Sequence, residues 1–327
     1  MSEGRLPLTL LGGALGSGKT TWARHQLHDG AFGTGVHVLV NEAAEVPVDD
    51  QLLARAEGVT VLAGGCVCCT GRQALVAALR DLCDRRSRGA GPQRVLLETS
   101  GLADPGAIAA CLRADPILAR HLRLDGILVA IDAVHALAQL TEDPLVHRQI
   151  AVADRLILTK VDVAKPQDVQ WLQAGLAQRN PAAQIEGCQH GVSITLAPPL
   201  PAMAPNLPAS PATQEPSVAA VLRLPVDLDW AETMVWLSAL LHARGDRVVR
   251  VKGVIPSAAG RLLVQSVRGV VEPPELLPPQ PRDGDGQLVF LGRGFSETAL
   301  VQSLRGFLDL SGAELEGCSD QKNAISV

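Results

Sequence analysis

The segment GALGSGKT, Gly13 to Thr20, matches G-x-x-x-x-G-K-[ST] between an apolar run and a helix-period stretch. Gly13, Gly16 and Gly18 let the backbone curl until successive N–H groups face a phosphate. The N-terminus of the helix that follows adds partial positive charge. Lys19 is placed to bridge β- and γ-phosphates, and the Thr20 hydroxyl to ligate Mg²⁺. Ser17 and Thr21 complete the expected nucleotide-binding set. A Gly-rich turn without a ligand is the alternative.

A phosphate loop needs an acidic group near the metal. RVLLETSG sets Glu98 at the end of an apolar run, with Gly101 three residues on. Glu98 is expected to hold a Mg²⁺-bound water, and the Gly101 N–H to sense the γ-phosphate. The alternative for Glu98 is a surface carboxylate. LTKVD closes a further apolar run. There Asp162 suits the guanine N1 and N2 donors, while Lys160 lies over the base. Adenine lacks that donor pair, so GTP is expected over ATP. Thr159 stands where the usual form carries Asn, which loosens base selection and leaves weak ATP hydrolysis open. A Lys and an Asp facing solvent at a strand end are the alternative.

GGCVCCT brings Cys66, Cys68 and Cys69 onto one Gly-flanked loop. Three thiols this close can converge on one soft or borderline ion, with Zn²⁺ as the default and a fourth position open. A following helix N-terminus would favour thiolate. Redox chemistry at the C-x-x-C pair Cys66 and Cys69, or simple packing, are the competing readings. Glu42 and Glu45, in NEAAEV, are candidates for an extra metal ligand or a nucleotide-sensing group, or are solvated loop carboxylates.

The elements that must position these residues alternate along residues 1–190. LPLTLLG (6–12), VHVLVN (36–41), VTVLAGG (59–65), RVLLETSG (94–101), LDGILVAIDA (124–133) and DRLILTKVD (154–162) read as strands. Helix-period stretches, such as 19–29, 72–86 and 168–178, separate them. Near-continuous apolar strands joined by helices predict an α/β domain with a mostly parallel sheet covered on both faces. Residues 197–217 contain seven Pro and little that packs, so 191–217 reads as a Pro-stiffened linker. Residues 218–312 read as a smaller α+β domain and 313–327 as a polar, disordered tail.

Composition narrows the class. Hydrophobic residues make up 47% of the 327 and aromatics only 2%, so the core is aliphatic. A net charge of −5 with no basic run argues against nucleic acid as a partner. No apolar stretch reaches the roughly 18 to 20 residues of a membrane span. No signal peptide is read. Seven Cys, three of them within four positions, fit reduced thiols in a cytoplasm better than an oxidised framework.

Together, GALGSGKTT, VNEAAEV, GGCVCCT, LLETSGLADP and LTKVD resemble the CobW-like family of P-loop GTPases. WLSALL, VVRVKGVI, QSVRGVVE and QLVFLGR resemble that family's C-terminal domain. The resemblance implies a metallochaperone or metal-insertion factor. Its cysteine loop would carry a transferred ion, zinc or cobalt, to a metal-requiring client protein, gated by Mg²⁺-dependent GTP turnover. A metal-sensing regulator with little turnover, or a thiol redox protein, are the alternatives. The chain departs from the family pattern at Thr159, at Ala43 and Ala44 in place of Phe-Gly, and in lacking a His-rich stretch. Oligomeric state is not read from the sequence.

Overall fold

The computed structural model describes residues 4–41, 56–62, 70–199, 207–208, 218–224, 230–280 and 285–308. Glu42, Ala43, Ala44, Glu45, the three loop cysteines, most of the Pro-rich segment and the tail lie outside them. The chain divides into two compact units, Met1–Ser217 and Val218–Val327.

In the first unit the elements alternate as β1 (Leu6–Gly13), α1 (Lys19–His28), β2 (Val36–Asn41), β3 (Gly58–Val61), α2 (Thr70–Ser87) and β4 (Arg94–Thr99). Then come α3 (Pro105–Ala114), α4 (Pro116–His121), β5 (Leu122–Asp132), α5 (Ala136–Glu142) and α6 (Pro144–Val152). The unit closes with β6 (Arg155–Thr159), α7 (Pro166–Arg179), β7 (Gln184–Gln189) and β8 (Val192–Ile194). The sheet order is β3-β2-β4-β1-β5-β6-β7-β8. All neighbours pair in parallel except β7 with β8, which form an antiparallel hairpin. The central strands β1, β4 and β6 are mostly apolar and buried, as a parallel sheet covered on both faces requires. Leu6, Leu8, Leu10, Leu11, Leu96 and Leu97 are all buried.

Helices α3, α4 and α6 start with the same device. Asp104, Asp115 and Asp143 sit at their N-caps, accept backbone N–H bonds through their carboxylates, and each precedes a Pro. The aspartate satisfies orphan donors, and the proline, lacking an N–H, suits the first helical position.

The first unit runs beyond residue 190, where the sequence reading began the linker. β8 joins the sheet, and Leu207 packs against α7 at Gly175, whose missing side chain leaves the notch it fills. The Arg179 guanidinium donates to the carbonyls of Leu207 and Pro208, both at 3.0 Å. Leu207 and Pro208 thus pack where the leucine finds a side-chain-free groove and the two carbonyls meet a cation.

The second unit contains β9 (Val218–Arg223), α8 (Trp230–Arg244), β10 (Val248–Ser257), β11 (Gly260–Val267), β12 (Val270–Val271), β13 (Glu275–Leu276), β14 (Gln287–Gly292) and α9 (Glu297–Leu308). Its sheet, β12-β11-β10-β14-β9 with β13 also on β11, is antiparallel among the named strands. Trp236 of α8 meets Phe290 of β14 edge-on at 6.0 Å, inside a core completed by Leu237, Val251, Leu288 and Leu304. Among the described residues, no helix is long and apolar enough to cross a membrane.

Candidate nucleotide site

A parallel sheet aligns the carboxyl ends of its strands along one edge, where the connecting loops form a crevice. Register places Leu11 beside Glu98, Gly13 beside Ala130, and Asp132 beside Thr159. The ends of β1, β4, β5 and β6 therefore bring together residues that lie far apart in the chain.

The loop after β1 has the backbone that a phosphate cradle requires. Gly13, Gly16 and Gly18 take φ values of 135°, 70° and 83°. Gly13 also cannot carry a side chain, since a Cβ there would fall 2.3 Å from the Ala130 carbonyl oxygen. Lys19 is buried, and its Nζ donates to the carbonyls of Gly13 at 3.0 Å and Ala14 at 2.9 Å. The ammonium thus lies along the inside of the loop. Ser17 is fully buried, and its Oγ is among the buried polar atoms with no hydrogen-bond partner in the structure. A curled backbone, an inward ammonium and an orphaned buried hydroxyl fit a bound polyphosphate.

Beside the loop, Thr20 Oγ1 donates to Glu98 Oε1 at 2.5 Å. Glu98 is buried at the end of β4, so the surface-carboxylate alternative does not describe it. A hydroxyl and a carboxylate in contact at the phosphate loop form an oxygen donor set suited to Mg²⁺. Gly101 follows closely packed, as a Cβ on it would lie 2.5 Å from the Leu15 backbone nitrogen. The segment after β4 thus touches the phosphate loop directly. Thr21 is exposed on the first turn of α1.

At the end of β6, Thr159 is buried, and its hydroxyl lies 2.7 Å from the Ser17 carbonyl and 3.2 Å from that of Ile131. Its side chain also lies over Gly18. The structure therefore sets Thr159 against the phosphate loop, with its hydroxyl bonded to the backbone. Lys160 takes a left-handed φ of 57°, and its Nζ lies 2.6 Å from Asp132 Oδ2. Asp162 follows in a turn closed by the N–H groups of Val163 and Ala164 on the Lys160 carbonyl. His190 Nε2 lies 3.3 Å from Asp162 Oδ2.

Asp132 escaped the sequence reading. Its carboxylate accepts bonds from the Val134 and His135 backbone N–H groups, from the His135 ring and from Lys160. Burial pushes its pKa up, but bonds from Lys160, His135 and Val134 outweigh that and leave it below the ordinary aspartate value. The available signal was an acid at the end of the apolar run LDGILVAIDA, the same signal that marked Glu98. The structure groups Lys19, Thr20, Glu98, Gly101, Thr159, Lys160 and Asp162 along one edge of the sheet. Cys66, Cys68, Cys69 and Glu42 lie outside the described residues. Among those described, no cluster of three or more His, Cys, Asp or Glu side chains is arranged to hold a metal.

Comparison with known proteins matches residues 7–186 to the CobW/HypB/UreG nucleotide-binding domain, and residues 217–308 to the cobalamin synthesis protein CobW C-terminal domain. The chain is 33% identical over 277 residues to the zinc chaperone YjiA of Escherichia coli, covering 80% of this chain and 86% of that protein. It is 31% identical over 211 residues to the zinc chaperone CobW of Pseudomonas aeruginosa, covering 55% of each. It is 30% identical over 194 residues to the zinc-regulated GTPase metalloprotein activator 1 of Schizosaccharomyces pombe, covering 57% of this chain and 46% of that one. The crystal structure of Zn(II)-bound YjiA GTPase from E. coli superposes with a TM-score of 0.61 at 25% identity, over 93% of this chain and 99% of the other.

Proposed function

Because the chain belongs to the CobW/HypB/UreG family of P-loop GTPases, we propose that it couples GTP hydrolysis to the handling of a transition metal. The metal would be held by Cys66, Cys68 and Cys69 and passed to a metal-requiring client protein. One observation carries the nucleotide half: Lys19 lines the phosphate loop while the Thr20–Glu98 pair stands beside it. Lys19 and the loop N–H groups stabilise charge on the transferred phosphoryl group. Thr20 and Glu98 would hold Mg²⁺, which when bound neutralises phosphate charge. Asp162 and Lys160 select the base. GTP is the preferred nucleotide, with ATP turned over weakly if at all.

The metal half is supported by three thiols within four residues and by relatives named as zinc chaperones. Zinc is therefore the proposed cargo, with cobalt a competitor for the same thiolates. Reduced thiols of this kind fit a cytoplasmic setting. The cysteine loop is joined in sequence to β3, whose strand neighbour β2 pairs with β4, the strand that ends at Glu98. Metal and nucleotide affinities would then be linked, each altering the other by the same factor.

Equilibrium zinc binding to the purified chain, with and without GTP, tests the reading. The expected result is one tight zinc per chain whose affinity changes with nucleotide. Replacing Cys66, Cys68 and Cys69 together by Ser should abolish it. Zinc uptake that survives this replacement would remove the cysteine loop from the function. Lys19→Ala should lower steady-state phosphate release by about 10²-fold or more, the scale of losing one stabilising donor.

A further inference from the structure

The turn between β7 and β8 is built as part of the base-recognition end. His190 holds a left-handed φ of 50°, a conformation that a non-glycine residue adopts only at a cost. Gly191 follows at φ 92° and is seated on α1, where a Cβ would fall 2.5 Å from His25 Cβ and 2.9 Å from the Thr21 carbonyl oxygen. Gln26 Nε2 donates to the Gly191 carbonyl at 3.1 Å. The helix that starts at Lys19 therefore clamps this hairpin turn. The clamp delivers the His190 ring to Asp162, with Nε2 3.3 Å from Oδ2. The imidazole is 81% exposed, so burying the ring is not what holds this strained position.

We propose that His190 is a positioning residue for guanine recognition, orienting the Asp162 carboxylate toward the base. Each carboxylate oxygen has two acceptor sites, so Oδ2 can sit beside the His190 imidazole and still take a base donor. A carboxylate on a turn otherwise rotates freely about its side-chain bonds. The imidazole, held 3.3 Å from Oδ2 by the clamped hairpin, restricts that freedom before the nucleotide arrives. The same clamp ties the base end to the helix carrying Lys19 and Thr20, so both ends of the nucleotide site share one rigid element. This inference rests on the reading of Asp162 as the guanine-recognising carboxylate.

The test is steady-state hydrolysis of GTP and of ATP by the full chain carrying His190→Gly. Glycine suits the left-handed backbone, so the fold is retained while the imidazole is lost. The expected result is a GTP KM raised about 3- to 10-fold, the scale of one polar contact, with kcat and the ATP KM unchanged. Asp162→Asn is measured in parallel. An unaltered GTP-to-ATP preference in His190→Gly, alongside its collapse in Asp162→Asn, overturns the proposal and leaves the base reading standing. If neither variant changes the preference, the base reading falls and this inference with it. Equal losses for both nucleotides in His190→Gly would mark a merely structural turn, which also overturns it.

Discussion

Thr159 Oγ1 lies 2.7 Å from the carbonyl oxygen of Ser17, joining the end of β6 to the glycine-rich loop after β1 across 142 residues of chain. Removing that hydroxyl leaves a buried carbonyl without its side-chain donor. Thr159→Val, nearly the same shape, should therefore cost about 1–3 kcal/mol of folding stability and weaken binding of all nucleoside triphosphates alike. Chemical denaturation and nucleotide titration check this. A selective loss of GTP over ATP would instead give Thr159 a direct role at the base.

Asp132 holds Lys160 where it is. Asp132→Asn keeps an oxygen for the Val134 and His135 N–H groups but removes the charge that draws the ammonium in. The expected outcome is a stability loss of about 1–3 kcal/mol and weaker GTP binding, with ATP binding little changed. Calorimetric titration with both nucleotides reads the difference.

Gly101 and Leu15 leave no room between them. An added methyl in Gly101→Ala would meet the Leu15 backbone nitrogen and α-carbon, neither of which can turn aside as a flexible side chain could. Hydrolysis should fall at least tenfold, with a stability loss of about 1–3 kcal/mol from overpacking. Wild-type turnover in this variant would show that the loop can open there without consequence.

Acidification should destabilise the first unit. His147 and His37 both have pKa values below the usual histidine value, burial being the largest cause, with nearby Arg side chains adding to it. His147 Nδ1 also contacts the Arg179 guanidinium, which requires the neutral ring. The unfolded chain therefore binds these protons first. Stability is full above the unfolded histidine pKa of about 6.5 and falls as pH drops from there toward the lower folded values. Thermal midpoints at pH 7.5 and pH 5.5 measure it, and His147→Gln should flatten part of the decline. A midpoint that rises on acidification would contradict the assignment.

The Asp-Pro pairs at Asp104, Asp115 and Asp143 show how much helix information is local. Each cap and its proline act within a turn of chain, so the helix starts were written in the sequence. Strands β1 to β6 were legible for a related reason, because a parallel sheet buried on both faces demands apolar runs, whereas β7, with Gln184, Glu186 and Gln189, and β8 gave no such run. His190 was not legible in this way, and Asp132, though an acid closing an apolar run, carried no local sign that it meets Lys160. Nothing near His190 in the sequence points to Asp162, since their meeting depends on how the β7–β8 hairpin seats on α1.

By itself the sequence pointed to the phosphate loop, the acids Glu98 and Asp162, the first six strands and the family resemblance, because those signals lie within short stretches of chain. Only the tertiary structure decided that Thr159 bonds the phosphate loop, that Asp132 holds Lys160, and that Leu207 folds back onto α7. Those outcomes follow from strand register and close approach between distant segments. A side chain's partner there is set by the path of the whole backbone, and its neighbours in sequence carry no trace of it.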